Sequence, residues 1–382
     1  MIRLFTVTGA RPQIIKAAAI SRAIRSRFSD VMTETIIHTG QHYDEEMSGI
    51  FFSELGIPEP VHNLRISEEN DPVRTMIRRL SELFRQEKPD VALVYGDTNS
   101  TLAGAFAANN CGIPLVHVEA GLRSFNTDMP EEFNRIATDH SSSLLFAPTD
   151  TAVANLEKEG IAGAREGERA GVNNPVVCRC GDIMYDNSLH FASLARPLSQ
   201  LPGMSDLAGK PFFLATVHRN FNADDETRLS SVFRAFARLG EEQHAPVVVP
   251  LHPRTRKNIS APLRDEIEQA RRKDFVRILP PVGFLDMITL EKNARLVLTD
   301  SGGVQKEAYF FRKPCVVLRE ETEWVEIVRQ GCALLSGTGT ENILRAAREL
   351  LERDEFRFAG LFGDGRAAEF ICEKMIFHFS PQ

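Results

Sequence analysis

The chain has 382 residues, 43% apolar and 25% charged, and its 45 basic and 52 acidic side chains give a net charge of −7. That length exceeds what one hydrophobic core usually serves, so two domains are expected, and the composition excludes a disordered chain. The acidic balance argues against nucleic acid or an anionic membrane as partner, and no apolar run approaches the roughly 20 residues of a membrane helix.

The opening residues, Met1-Ile2-Arg3-Leu4-Phe5, read as a first strand and not as a secretory leader. Further apolar runs at 35–38, 91–95, 115–118, 144–147 and 176–180 predict strands. The intervening segments 12–27, 74–86 and 149–159 place apolar residues three and four apart and predict helices. After a polar, glycine-bearing stretch at 160–174 the pattern repeats, with strands expected at 212–217, 247–251, 276–279, 296–299, 315–318 and 333–335. Segment 201–210, with Pro202, Gly203 and Gly209, reads as a linker or a loop, and a last helix is expected over 366–377. Six cysteines are scattered, and the close-set Cys178 and Cys180 suit one strand better than a metal or redox motif, which agrees with a reducing cytoplasm.

Continuous apolar strands separated by helices imply parallel sheets covered on both faces. The expected fold class is therefore α/β, with two Rossmann-like doubly wound domains and a ligand cleft between them. The boundaries read as 1–178 and 179–364, with a C-terminal helix at 365–382 packing back on the first domain.

Several strands end in residues that carry chemistry. Thr8-Gly9-Ala10-Arg11-Pro12, followed by Lys16, leaves the first strand for a helix, and Arg11 offers a planar fork for phosphate. Tyr95-Gly96-Asp97-Thr98 follows one strand, His117-Val118-Glu119-Ala120-Gly121 ends another, and Met129-Pro130-Glu131-Glu132 opens a helix. Three acids so placed either cap helices or converge, and convergent like charges would raise one another's pKa until one holds a proton. In the second half, His218 and Arg254 follow strands and could face a leaving phosphate. Thr299-Asp300-Ser301-Gly302-Gly303-Val304-Gln305-Lys306-Glu307 passes from strand to helix. Its unbonded N–H groups suit a diphosphate, and Glu307 lies where a carboxylate accepts from ribose hydroxyls; a capped glycine turn is the plainer alternative.

Two motifs point nowhere. His38 and His42 are interrupted by Gly40, so a helical metal pair is not expected. Gly363-Asp364-Gly365-Arg366-Ala367-Ala368 spells a dinucleotide pattern, but no strand clearly precedes it.

Taken together, these segments resemble the non-hydrolysing UDP-N-acetylglucosamine 2-epimerase family. The likeness is carried by Gly9 to Lys16, His38-Thr39-Gly40-Gln41-His42, Gly96 to Gly104, His117 to Arg123, Pro130 to Arg135, Thr216-Val217-His218-Arg219 and Thr299 to Gly303. It implies a GT-B-type arrangement, a homodimer and a UDP-sugar as the bound partner, with no cofactor and no metal. It also implies acid/base roles for Asp97, Glu119 and Glu131, and a catalytic His218 near the departing nucleotide. Arg11, Lys16, Ser301 and Glu307 fall on its nucleotide-binding positions, with Gly302 and Gly303 in the same helix start. Where the family has Thr-Glu-Arg-Pro-Glu, this chain has Thr322-Glu323-Trp324-Val325-Glu326. That departure, with Val304 to Phe311 and Pro281 to Met287, resembles the branch acting on UDP-2,3-diacetamido-2,3-dideoxy-glucuronate for surface polysaccharide. UDP-N-acetylglucosamine is the alternative substrate, and a GT-B glycosyltransferase the alternative class.

Overall fold

The computed structural model describes residues 1–41, 56–66, 70–161 and 168–380, so His42 lies outside the described residues. The chain divides into two compact units, Met1–Asn187 together with the segment from Gly360 onward, and Ser188–Ala359. Their boundary falls inside a continuous helix, Ile183–Leu194, downstream of the 178/179 boundary expected from composition.

In the first unit β1 (Ile2–Thr8), β2 (Met32–His38), β3 (His62–Asn63), β4 (Val91–Tyr95), β5 (Leu115–Val118), β6 (Leu144–Ala147) and β7 (Val176–Arg179) form one parallel sheet in the order β3-β2-β1-β4-β5-β6-β7. Alternation along β4 shows how it is covered. Val91, Leu93 and Tyr95 face a core shared with Ile20, Ile371, Cys372 and Met375. Ala92 and Val94 face a second core with Met76, Leu80, Phe84 and Ala103. The helix Ala367–Phe379 thus belongs to the first unit's core, and each such fully buried side chain contributes about 1.5–3 kcal/mol.

The second unit repeats the plan with β8 (Phe213–Thr216), β9 (Val247–Pro250), β10 (Val276–Leu279), β11 (Leu296–Thr299), β12 (Cys315–Val317) and β13 (Ala333–Leu335), ordered β10-β9-β8-β11-β12-β13. In both sheets the strand order reverses beside the unit's first strand, at β1/β4 and at β8/β11. Open α/β sheets bind ligands at such switch points.

Three local expectations need correction. The helix predicted over 12–27 is α-helical only across Arg11–Ala23 and widens into a π-turn over Ile24–Phe28. The strand predicted to reach Cys180 stops at Arg179, because Gly181 turns left-handed at φ +81°. Segment 201–210 is not a linker: Leu201, Met204 and Leu207 are buried within the second unit. Among the described residues no helix is long and apolar enough to cross a membrane.

Candidate active site

The switch point of the first unit gathers the ends of β1, β4 and β5. Gly9 is required where β1 turns, since a Cβ there would collide with Ser100 Oγ and Thr39 Oγ1. Gln13 locks this turn to β4: its Oε1 accepts from Gly9 N (2.9 Å) and Ala10 N (3.1 Å), and its Nε2 donates to the Tyr95 carbonyl (2.9 Å) and Thr101 Oγ1 (2.9 Å). Arg11 is exposed at the first position of the helix that follows. Lys16, one turn further on, is largely buried and ion-pairs with Glu119.

Gly96 packs against that pair: a Cβ there would be 3.2 Å from Lys16 Nζ and 3.3 Å from Glu119 Oε2. Glu119 itself has φ +74°, a strained value for a residue with a side chain, and it begins the turn after β5. Asp97, next to Gly96, accepts from Arg135 Nη2 at 2.5 Å, and Arg135 Nη1 donates to Glu132 Oε2 at 2.8 Å. Asn134 Nδ2 donates to the Asp97 carbonyl at 2.9 Å. Burial alone would raise the Glu132 carboxyl, but the Ser124 and Phe125 N–H groups and Arg135 bring it below its ordinary range. Glu131, one residue earlier, is exposed.

Asp97, Glu119 and Glu132 each meet a cation. Glu131 stays outside this network because adjacent helical positions point about 100° apart, and it is Glu132 that shares the inward face with Arg135.

In the second unit Asp300 is fully buried and organises the switch point. It accepts from His218 N (3.1 Å), Arg219 N (3.1 Å) and Asn222 Nδ2 (3.1 Å), and lies 3.6 Å from His218 Nδ1. Ser301 caps the helix Gly302–Phe310, its Oγ accepting from Val304 N at 3.4 Å. A Cβ on Gly302 would stand 3.5 Å from Trp324 Nε1 and 3.9 Å from Arg219 Nη2, so indole and guanidinium edge this helix start. Lys306 lies 4.2 Å from the centroid of the Trp324 ring, a cation–π contact.

Glu307 is mostly buried and faces Glu291, whose carboxyl is pushed well above its ordinary value by burial and by Glu307. Arg254 is exposed and its fork is engaged by Asp224 at 2.9 and 2.6 Å. The imidazole of His252 lies beside that of His218, ring centroids 5.8 Å apart. Among the described residues no group of three or more His, Cys, Asp or Glu is placed to hold a metal ion.

Comparison with known proteins fits this geometry. The UDP-N-acetylglucosamine 2-epimerase family matches residues 26–376. The chain belongs to that family. It is 45% identical, over 97% of its length and 99% of the relative's, to the UDP-2,3-diacetamido-2,3-dideoxy-D-glucuronate 2-epimerase of Pseudomonas aeruginosa. It is 43% identical, over the same shares, to a UDP-N-acetylglucosamine 2-epimerase homolog of Methanococcus maripaludis. The crystal structure of the Methanocaldococcus jannaschii UDP-GlcNAc 2-epimerase with UDP-GlcNAc and UDP superposes with a TM-score of 0.82 at 36% identity, covering 98% of this chain and 100% of that one.

As a member of an isomerase family with the two-Rossmann, GT-B-type fold, the chain holds site residues that its strand-end pattern did not single out. Gln13, Arg135, Asp139 and Asn222 are all buried: Gln13 and Asp139 bind backbone turns, Asn222 donates to Asp300 and to the Leu318 carbonyl, and Arg135 bridges the Asp97 and Glu132 carboxylates. A helical period was the available signal for two of them: Glu132, Arg135 and Asp139 recur three and four apart on one face.

Proposed function

We propose that this chain is a non-hydrolysing UDP-sugar 2-epimerase acting on UDP-2,3-diacetamido-2,3-dideoxy-glucuronate, and that its product is the manno epimer. The observation that carries the reaction class is the pair of carboxylates, Asp97 and Glu119, set at adjacent strand ends of one switch point. The C2 hydrogen of such a sugar is not beside a carbonyl, so abstraction alone leaves an unstabilised carbanion. Loss of UDP solves this. One carboxylate takes the C2 proton, the C–H electrons form a C1=C2 double bond, and the C1–O bond breaks with its pair leaving on UDP. The result is a 2-acetamidoglycal. UDP oxygen then adds back to C1 while C2 is protonated on the opposite face.

In this reading Asp97, Glu119 and Glu131 exchange the protons. Arg11, Lys16, His218, Arg254 and the Ser301–Gly302–Gly303 helix start take up the charge of the departing diphosphate, and Glu307 receives the ribose. The Pseudomonas relative, with Trp324 in place of the family's arginine, supports the diacetamido-uronate. The M. jannaschii UDP-N-acetylglucosamine 2-epimerase, 38% identical over 97% of this chain, favours UDP-N-acetylglucosamine as the second reading.

Side-by-side turnover of both sugars decides between them, with kcat/KM expected to be higher for the uronate. In D₂O the product is expected to carry deuterium at C2; product without it overturns the elimination route. We also propose a cytoplasmic homodimer serving surface polysaccharide synthesis, for which light scattering should return twice the 42.7 kDa chain mass.

A further inference from the structure

Beneath the strand ends that carry Asp97 and Glu119 lies a buried polar chain to which that reaction assigns no part. His117 is on β5, fully buried. Its Nδ1 is 2.6 Å from Asp139 Oδ1, and its Nε2 is 2.8 Å from the Gly96 carbonyl oxygen. Asp139, also buried, accepts on its other oxygen from Gly121 N (3.1 Å) and Arg123 Nη2 (2.7 Å). Arg123 in turn meets Glu159 at 2.6 and 2.7 Å, and His140 Nε2 lies 3.6 Å from the same carboxylate.

The protonation of this chain follows from its partners. A carbonyl oxygen has no proton to give, so His117 Nε2 must carry one. The 2.6 Å separation of His117 Nδ1 from Asp139 Oδ1 places one proton between the ring and the carboxyl, and Asp139 Oδ2 accepts in addition from Gly121 N and Arg123 Nη2. Both ring nitrogens are thereby held, one by a backbone carbonyl and one by a buried carboxyl.

His117 and Asp139 grip two turns. Gly96 has φ +64° and precedes Asp97. Glu119, φ +74°, opens the turn that closes at Gly121, φ +77°. One buried imidazole and one buried carboxyl thus tie together the two left-handed turns at adjacent strand ends.

We infer that His117 is a positioning residue whose ring, anchored by Asp139, fixes the spacing of the Asp97 and Glu119 carboxylates. The inference rests on the proposed reaction, in which those two groups must reach the same carbon. Misplacement of a reacting group by about 1 Å costs on the order of 100-fold in rate.

Two measurements test it. Histidine-selective ¹⁵N NMR of the intact wild-type protein at pH 7.5 reads the ring directly: a proton on His117 Nε2, held by the Gly96 carbonyl, is expected, and a ring unprotonated at Nε2 overturns the inference. Kinetics of His117→Gln form the second. A folded variant is expected to lose about 100-fold in kcat with KM and UDP affinity within about threefold, since the groups that bind nucleotide are untouched. Wild-type kcat, or a loss confined to KM, overturns it, and if the variant does not fold the NMR result stands alone as the arbiter. Asp97→Asn and Glu119→Gln are run beside it. Retained turnover in both sinks the proposed reaction, whereas their inactivity beside a fully active His117→Gln sinks only the positioning role.

Discussion

At its switch point the first unit pairs inward carboxylates with cations, Glu119 with Lys16 and both Asp97 and Glu132 with Arg135, whereas the second unit sets Glu291 and Glu307 face to face. The consequences run in opposite directions. Glu132 is held below its ordinary range and stays charged. Glu291 is pushed well above its own by burial and by Glu307. Like-charge repulsion was the expected device for the proton-transfer acids. It operates instead next to the helix that begins at Ser301, a helix start suited to bind anions. One fold thus pulls the same side chain toward its charged form in one unit and toward its neutral form in the other.

The largest test of this contrast removes a paired acid. Asp97→Asn is expected to lower kcat by about 1,000-fold while UDP binding, followed by calorimetry, stays within about threefold. Next comes its cation. Arg135→Met leaves two inward carboxylates unpaired, and urea denaturation should show a loss of about 3–5 kcal/mol.

A smaller effect is expected at Asp186, an acid of the first unit that lies outside its switch point. Burial pushes it up to about 6, although the N–H groups of Ala367 and Ala368 donate to it at 3.1 and 2.7 Å. A raised carboxyl stabilises the folded state fully below its unfolded value and loses that contribution as pH rises through its folded one. The gap from 3.8 to about 6 corresponds to about 3 kcal/mol. Unfolding free energy of Asp186→Asn should therefore gain on wild type by up to about 3 kcal/mol between pH 4 and pH 7, and a constant difference across that range breaks the argument.

The smallest change is Glu291→Gln, which replaces a carboxyl driven toward its neutral form by a neutral amide of the same shape. Below neutral pH its melting temperature should match wild type within a few degrees. As pH rises toward the raised Glu291 value the wild type should lose ground, by the same sign rule as for Asp186. Equal loss in both proteins would show that Glu291 is charged throughout.

Most strands were legible because they are continuous apolar runs, and β4, β5, β6, β10, β11 and β13 begin and end where hydrophobicity alone places them. β3 was not, since two residues, His62 and Asn63, carry no period. The unit boundary was invisible for a related reason: a helix that crosses it has no change of composition to mark it. At the candidate site, strand ends pointed to Asp97, Glu119 and His218. The side chains that hold them, His117, Arg135 and Asp300, depend on contacts across 22, 38 and 82 positions of sequence, which no local pattern contains. Gly363 to Ala368 shows the reverse case. The motif does open a helix, but Asp186 already fills its anion-binding end.

The helix Ala367–Phe379 also sets an order of events during synthesis. Residues 188–359 form an uninterrupted unit and can close their core as soon as they leave the ribosome. The first unit, although translated first, lacks Ile371, Cys372 and Met375 of its own core until the last helix emerges. The half that carries Asp97 and Glu119 is therefore the half that finishes last, and until then the sheet face that Ile20 covers lacks part of its packing.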